Sequence, residues 1–363
     1  MFSKRIVINS TLIFCLFIVA FVYFLSPPPK DSFSKKTEII NKENGRIIKI
    51  SSGMGIEEIS QELKDKNFIR SKVTFKIFSF LINKARVLKS GEYDFGEGLW
   101  VPEIVNILAD GPKDILVVIA PGMTIREVDE GLASLGIINK GEIINFDASL
   151  LKNDFPWLLS FGVGVPQKEL TKKKDRLLLS NKGEATLEGF LFPDTYYFYP
   201  QSNTEAVIRK FLKNFEAKAL PFFVGRNDFK KDITLASLLE KEIPDFFDRQ
   251  IVAGILKKRI NAGMPLQVDA TVVYISCAGR FLSCPDITRA DYKTDSSYNT
   301  YLYPGLPPLP IGNPGADAIK AAITLKNSPY WYYLSDPKTK KTIFSQTLDE
   351  HNKNRAKYLL KST

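Results

Sequence analysis

One long apolar run opens the chain, and shorter alternating segments follow it. Residues 6–25, directly after Lys4 and Arg5, are nearly all apolar and carry no charge. About twenty residues at 1.5 Å rise each match the hydrocarbon thickness of a bilayer, so the run predicts a spanning helix. A cleaved leader would have a shorter apolar core and a small-residue cleavage site, whereas Ser26-Pro27-Pro28-Pro29 follows here. The expectation is an uncleaved transmembrane anchor with residues 1–5 as a cytoplasmic tail. Residues 26–45, rich in Pro, Ser, Lys and Asn, read as a flexible tether. Lys30, Lys35 and Lys36 beyond the run weaken the charge asymmetry that Lys4 and Arg5 set up.

Two later stretches share one pattern. Ile48-Lys49-Ile50 runs into Gly53 and Gly55, with apolar Ile59 and Leu63 after them; Val118-Ile119 runs into Gly122, with Val128 and Leu132 after it. Each predicts a short strand, a glycine turn and a helix. Between them, residues 91–95 alternate as a strand does, and Pro102 sits where a first helical turn tolerates it, ahead of Ile104, Val105 and Leu108. Residues 46–140 therefore predict a small α+β module. Strand–helix units of this kind resemble LysM domains, which implies affinity for N-acetylglucosamine polymers; a spacer that sets reach from the membrane is the other reading. Residues 141–184 read as a connecting region. Its basic loop at 168–176, with Lys172, Lys173, Lys174 and Arg176, reads as a solvated insertion or as a wall- or membrane-contacting patch.

Composition removes more than it adds. A formal net charge of +10 favours anionic partners without choosing among them. His351 is the chain's single histidine, which excludes most Ser-His-Asp, Cys-His and His-rich metal schemes. Cys15 lies in the apolar run. Cys277 and Cys284 flank a turn-like Ala-Gly-Arg, where a disulfide and two free thiols are both open readings.

The segment Leu235-Ala236-Ser237-Leu238-Leu239-Glu240-Lys241-Glu242 reads as a helix. Glu242 follows Leu235, Leu238 and Leu239 by seven, four and three residues and shares their face, with Glu240 rotated away. A carboxyl on an apolar face resists ionisation, and a raised pKa is what a general acid near neutral pH needs. The other reading leaves Glu242 in solvent or paired with Arg249 or Arg259. Aromatic, amide and hydroxyl groups suited to a sugar cleft occur at Gln267, Asp269 and Thr271, and again at Tyr298, Asn299, Thr300 and Tyr301. Each is equally suited to a core or turn role. Glu188 is either a second cleft carboxylate or a hydrogen-bond partner holding the turn at Gly189.

The ordered motifs are Glu188-Gly189-Phe190-Leu191-Phe192-Pro193-Asp194-Thr195, Ala236-Ser237 with Glu240-Lys241-Glu242, Leu266-Gln267-Val268-Asp269-Ala270-Thr271, Tyr298-Asn299-Thr300-Tyr301 and Gly305-Leu306-Pro307-Pro308. Together they resemble the endolytic murein transglycosylases (MltG, YceG-like), from residue 187 to the C-terminus and through His351-Asn352-Lys353. The chain departs from the family pattern in two places. Ile243-Pro244 stands where a threonine usually follows the triplet, and Ala270 replaces a proline. The resemblance implies a fold of one transmembrane helix, a LysM-like α+β domain and a larger α+β catalytic domain over 185–363. It also implies a lyase in the inner membrane, its catalytic domain on the outer side. Glu242 would protonate the β-1,4 oxygen between N-acetylmuramic acid and N-acetylglucosamine. The C6 hydroxyl of the muramic residue would then close a 1,6-anhydro ring, with no metal or cofactor. Peptidoglycan strands and the membrane are the implied partners, with peptidoglycan synthases and a role in ending strand elongation; nucleic acid is excluded. A hydrolase that uses water and a non-catalytic wall-binding or division scaffold are the alternatives.

Overall fold

The computed structural model describes residues 18–28, 47–51, 53–95, 98–112, 114–160, 163, 172–178, 186–226 and 228–359. Residues 18–25 are helical, and among the described residues no helix is long and apolar enough to cross a membrane. The predicted tail, residues 6–17 of the apolar run, residues 29–45 of the tether and residues 168–171 of the basic loop lie outside the described residues.

The chain divides into two compact units, residues 1–115 with 199–202, and residues 116–198 with 203–363. In the smaller unit, strand β1 (Ile47–Ile50) pairs antiparallel with β2 (Gly91–Asp94), with Ile48 opposite Tyr93 and Ile50 opposite Gly91. Helices α1 (Ile56–Asp65), α2 (Lys72–Leu81) and α3 (Val101–Asp110) complete it. Side-chain period explains the core: Ile48 and Ile50 share one strand face, while Ile59 and Leu63, and Ile104 and Leu108, are a helical turn apart. All six are buried. Pro102 occupies the first turn of α3, and the Glu103 carboxylate accepts the Trp100 N–H at 2.7 Å.

The second strand–glycine–helix stretch is built into the larger unit. Strand β3 (Ile115–Val118) pairs with β4 (Thr195–Phe198), and α4 (Ile125–Ser134) follows. Long-range bonds tie the start of α4 down: Thr124 Oγ1 donates to the Gly279 carbonyl at 2.5 Å, and the Ile125 N–H donates to Glu188 Oε1 at 2.9 Å. The sequence pattern of the two stretches is therefore shared while their surroundings differ.

The core of the larger unit is helical, with α5 (Thr204–Lys218), α6 (Phe229–Glu242), α7 (Phe246–Asn261), α8 (Asp269–Ser276) and α9 (Ala316–Ile323). A hairpin of β5 (Tyr332–Ser335) and β6 (Thr342–Ser345) and the terminal α10 (Leu348–Tyr358) follow. Every residue of α6 from Ile233 to Leu239 is buried, so the helix is covered on all sides instead of along one stripe. Cys277 and Cys284 are joined, their Cα atoms 5.5 Å apart. Within the basic stretch, Asp175 is buried and accepts from Ser296 Oγ at 2.5 Å, while Lys172 pairs with Asp295 at 2.6 Å.

Close approach makes two glycines opposite tests of this packing. A Cβ on Gly254 of α7 would stand 2.0 Å from the Lys326 carbonyl oxygen, whereas one on Gly131 of α4 would meet nothing within 4 Å. Gly254→Ala is expected to destabilise the chain by at least about 2 kcal/mol. Gly131→Ala should stabilise it by roughly 0.5–1 kcal/mol through helix propensity. Urea unfolding of both variants reads the signs directly.

Candidate active site

The site is set by where α6 stops. The Ile243 N–H still bonds the Leu239 carbonyl at 3.0 Å, but Ile243 itself is extended (φ −132°, ψ 122°), as a residue before proline must be. Pro244 ends the helix, and Asp245 caps α7 by accepting the Asp248 N–H at 2.9 Å. Glu242 is thus the last helical residue, half-buried where α6 leaves the core.

The two acids of the triplet have different surroundings. Glu240 is buried and paired with Arg249 at 2.6 Å, and its other oxygen accepts the Gly315 N–H at 2.9 Å. Arg249 also donates Nε to the Ile243 carbonyl at 2.5 Å, so one guanidinium fastens both the acid and the helix end. Glu242 has no ion-pair partner among the described residues. Its Oε1 accepts the Ala270 N–H at 3.4 Å, where the family pattern has a proline with no N–H to give. Burial, and then the Asp269 carboxylate, push the Glu242 carboxyl up to about 7; the Ala270 N–H and the Tyr333 hydroxyl draw it partly back.

Glu242 opens into a cleft of about 770 Å³. Of the sequence candidates, Gln267, Asp269 and Tyr301 line it with Glu242. Asp269 Oδ1 accepts from the Tyr301 hydroxyl, and from the Tyr292 hydroxyl at 3.3 Å. The two rings meet edge to face, centroids 4.8 Å apart. The remaining candidates stand behind this wall. Thr271 and Thr300 share a hydroxyl contact of 3.0 Å, and Thr300 Oγ1 accepts the Val268 N–H at 3.0 Å. Asn299 is fully buried, donating to the Tyr292 and Thr294 carbonyls and accepting the Tyr301 N–H at 3.0 Å. Tyr298 is buried with its ring 5.5 Å from that of Tyr274. Glu188 is buried away from the cleft wall, accepting from the Ile125 N–H and, at 3.0 Å, from the Tyr274 hydroxyl; burial pushes it up to about 8.

Sequence reasoning passes over several groups that the fold adds: Tyr332 and Tyr333 from β5, Tyr292 from the turn after the disulfide, and Arg355 from α10. Arg259 of α7, weighed there only as an ion-pair partner of Glu242, and His351 of α10, noted there as the single histidine, also line the cleft. The run Tyr330-Trp331-Tyr332-Tyr333 is the one local signal that could have found part of this set. Lys241 lines the cleft with its ammonium 3.5 Å from the centroid of Phe281, inside the disulfide loop.

The model of the YceG-like family matches residues 48–357 of this chain. An endolytic murein transglycosylase of Bacillus subtilis is 29% identical over 353 residues, 94% of this chain and 90% of that protein. One of Streptococcus pneumoniae is 26% identical over 343 residues, 91% of this chain and 60% of the relative. The crystal structure of a Listeria monocytogenes protein described as yceG-like superposes with a TM-score of 0.53 at 28% identity, covering 85% of this chain and 98% of the other.

Two stability measurements separate the acids. Arg249→Met strands a buried Glu240 carboxylate and is expected to destabilise the fold by about 3–5 kcal/mol in urea unfolding. Glu242 carries the opposite sign. Its folded pKa of about 7 lies above the ordinary 4.5, so its stabilising contribution is full below about pH 4.5 and lost as pH rises through 7. Glu242→Gln should therefore gain about 2–3 kcal/mol on the parent between about pH 5 and about pH 8. Parallel curves for the two proteins would show an unperturbed carboxyl.

Proposed function

This chain belongs to the YceG-like family, and on that premise we propose that it is a membrane-anchored endolytic lytic transglycosylase of peptidoglycan with Glu242 as both acid and base. The observation that carries the reading is a half-buried carboxyl, held protonated up to about pH 7, in a cleft lined by tyrosines and an amide. The relatives named endolytic murein transglycosylases support the reaction class. Such a carboxyl can give a proton and then, as a carboxylate, take one.

In the first step Glu242 protonates the β-1,4 oxygen between N-acetylmuramic acid and N-acetylglucosamine, and the C1–O bond breaks. Positive charge develops at C1 of the muramic residue. Asp269, which accepts hydrogen bonds from Tyr292 and Tyr301 at the cleft wall, is the negative group whose charge bears on Glu242 and could offset this positive charge. In the second step Glu242, now a carboxylate, takes the proton of that residue's C6 hydroxyl, and O6 bonds to C1. Water is not consumed, and the acid returns to its starting state.

The apolar run at residues 6–25 supports a single-pass anchor in the cytoplasmic membrane, with the catalytic unit on the outer side. Anchoring raises the local concentration of newly made strands at the cleft, which suits a role in ending their elongation beside the synthases that make them. The presence of Asp269 in the same cleft favours one second reading, a two-carboxylate hydrolase in which Asp269 activates water.

Mass spectrometry of peptidoglycan digested by the full chain separates the two. Ends in 1,6-anhydro-muramic acid support the transglycosylase, and hydrated reducing ends support the hydrolase. Glu242→Gln is expected to lower the rate roughly a hundred- to ten-thousand-fold. The parent's kcat/KM should fall above about pH 7 as the acid loses its proton. A variant that kept its rate would remove Glu242 from the mechanism.

A further inference from the structure

Arg259 is a buried cation without a counter-charge among the described residues. It is 5% exposed, donates Nε to the Trp331 carbonyl at 2.8 Å and Nη1 to the Leu266 carbonyl at 2.9 Å, and stands over the Tyr332 ring at 5.0 Å. No ion pair among the described residues includes it, and Nη2 makes neither of those bonds. The contrast lies on the same helix: Arg249, also buried, has Glu240 at 2.6 Å. Burying a guanidinium unpaired is expensive, and this one lines the catalytic cleft.

Two further groups bring positive or proton-accepting capacity to the same wall. His351 and Arg355, one turn apart on α10, line the cleft with Arg259. The imidazole stacks on Tyr332, centroids 5.2 Å apart and planes at 24°, and its Nδ1 has no hydrogen-bond partner among the described residues. Burial and the charges of Arg355 and Arg259 hold it below its ordinary pKa. The carboxylates of the cleft are engaged elsewhere, Glu242 with the Ala270 N–H and Asp269 with two tyrosine hydroxyls. On α10 itself, the Glu350 carboxylate accepts the Gln346 N–H at 2.7 Å and is not part of the cleft wall.

We infer that Arg259, His351 and Arg355 form an anion-binding wall of the cleft whose ligand is a carboxylate of the peptide stem carried by the muramic residue. The inference rests on the peptidoglycan reading above and goes beyond it to the form of the substrate. The sugar rings of the strand are neutral. Its negative charge near the cleaved bond comes from stem carboxylates or, once the stem is removed, from the bare lactyl carboxylate. A guanidinium fork matches either bidentately, and stacking on Tyr332 fixes both the Arg259 plane and the imidazole beside it. Of the two sources the stem fits better. Three groups drawn from two helices make a wall too broad for one small carboxylate attached directly to the ring. Substrate choice then follows: strands that keep their stems are bound in preference to stripped ones.

His351, the chain's only histidine, reports on this wall without turnover. The full chain carrying Glu242→Gln is titrated by NMR of the imidazole in the presence of chitotetraose, amidase-stripped glycan or stem-bearing glycan, with binding followed separately by calorimetry. A bound carboxylate favours the imidazolium, so the stem-bearing glycan is expected to raise the pH at which His351 titrates, and the other two to leave it in place. Arg355→Gln, an exposed position, should lower the ratio of stem-bearing to stripped affinity about tenfold. An equal rise with the stripped glycan would assign the wall to the lactyl carboxylate and overturn the stem. Binding of the stem-bearing glycan with no change at His351 would overturn the wall itself. Failure of every glycan to bind would overturn the function proposed above, and this inference with it.

Discussion

Burial of α6 on every side is the constraint from which the rest of the site follows. A helix with no solvent face cannot carry an ionised carboxylate along its length unless a cation is buried with it, and Glu240 meets that condition through Arg249. Glu242, two residues on, escapes the condition because the helix stops there. Ile243 is extended and Pro244 cannot continue the ladder, so the final carboxyl emerges at a cleft instead of inside the core. One guanidinium bonded to both Glu240 and the Ile243 carbonyl makes the ion pair and the helix end a single device.

Two carboxylates then share one cleft under opposite conditions. Glu242 is half-buried, receives one long backbone hydrogen bond, and is raised by burial and by Asp269. Asp269 is exposed and accepts from two phenolic hydroxyls. Substitution of Ala270 for the usual proline adds an N–H to this balance, and that N–H reaches Glu242 at 3.4 Å.

Behind the cleft wall lies a polar layer that positions it. Asn299 donates to the Tyr292 carbonyl and accepts the Tyr301 N–H, and the Thr271–Thr300 contact joins α8 to the same segment. Asn313 does comparable work beneath the other motifs. Its amide oxygen accepts the Gly189 and Leu191 N–H groups, both at 2.9 Å, and its amide nitrogen donates to the Met123 carbonyl. Glu188 joins this layer through Ile125 and Tyr274. Residues in such a network are fully satisfied in the protein, which rigidifies the tyrosines in front of them.

Local pattern determined the elements. Strand alternation at Ile48 and Ile50, helical spacing at Ile59 and Leu63, and the first-turn Pro102 are short-range signals, and each element forms where its pattern lies. A difference in surroundings between Glu242 and Glu240 was also legible in sequence, although an apolar stripe was the wrong physical reason. The helix is buried all round, and a proline-terminated end together with Arg249 makes the distinction. Which polar residues face the cleft was decided only by tertiary structure. Gln267, Asp269 and Tyr301 reach it, while Thr271, Tyr298, Asn299 and Thr300 lie behind it, because backbone hydrogen bonds between segments about thirty residues apart set their orientation. Arg259, Tyr333 and His351 reach the cleft of Glu242 from three elements far apart in the chain. Single-chain periodicity records which face of an element is apolar, and it holds no term for which other element that face will meet.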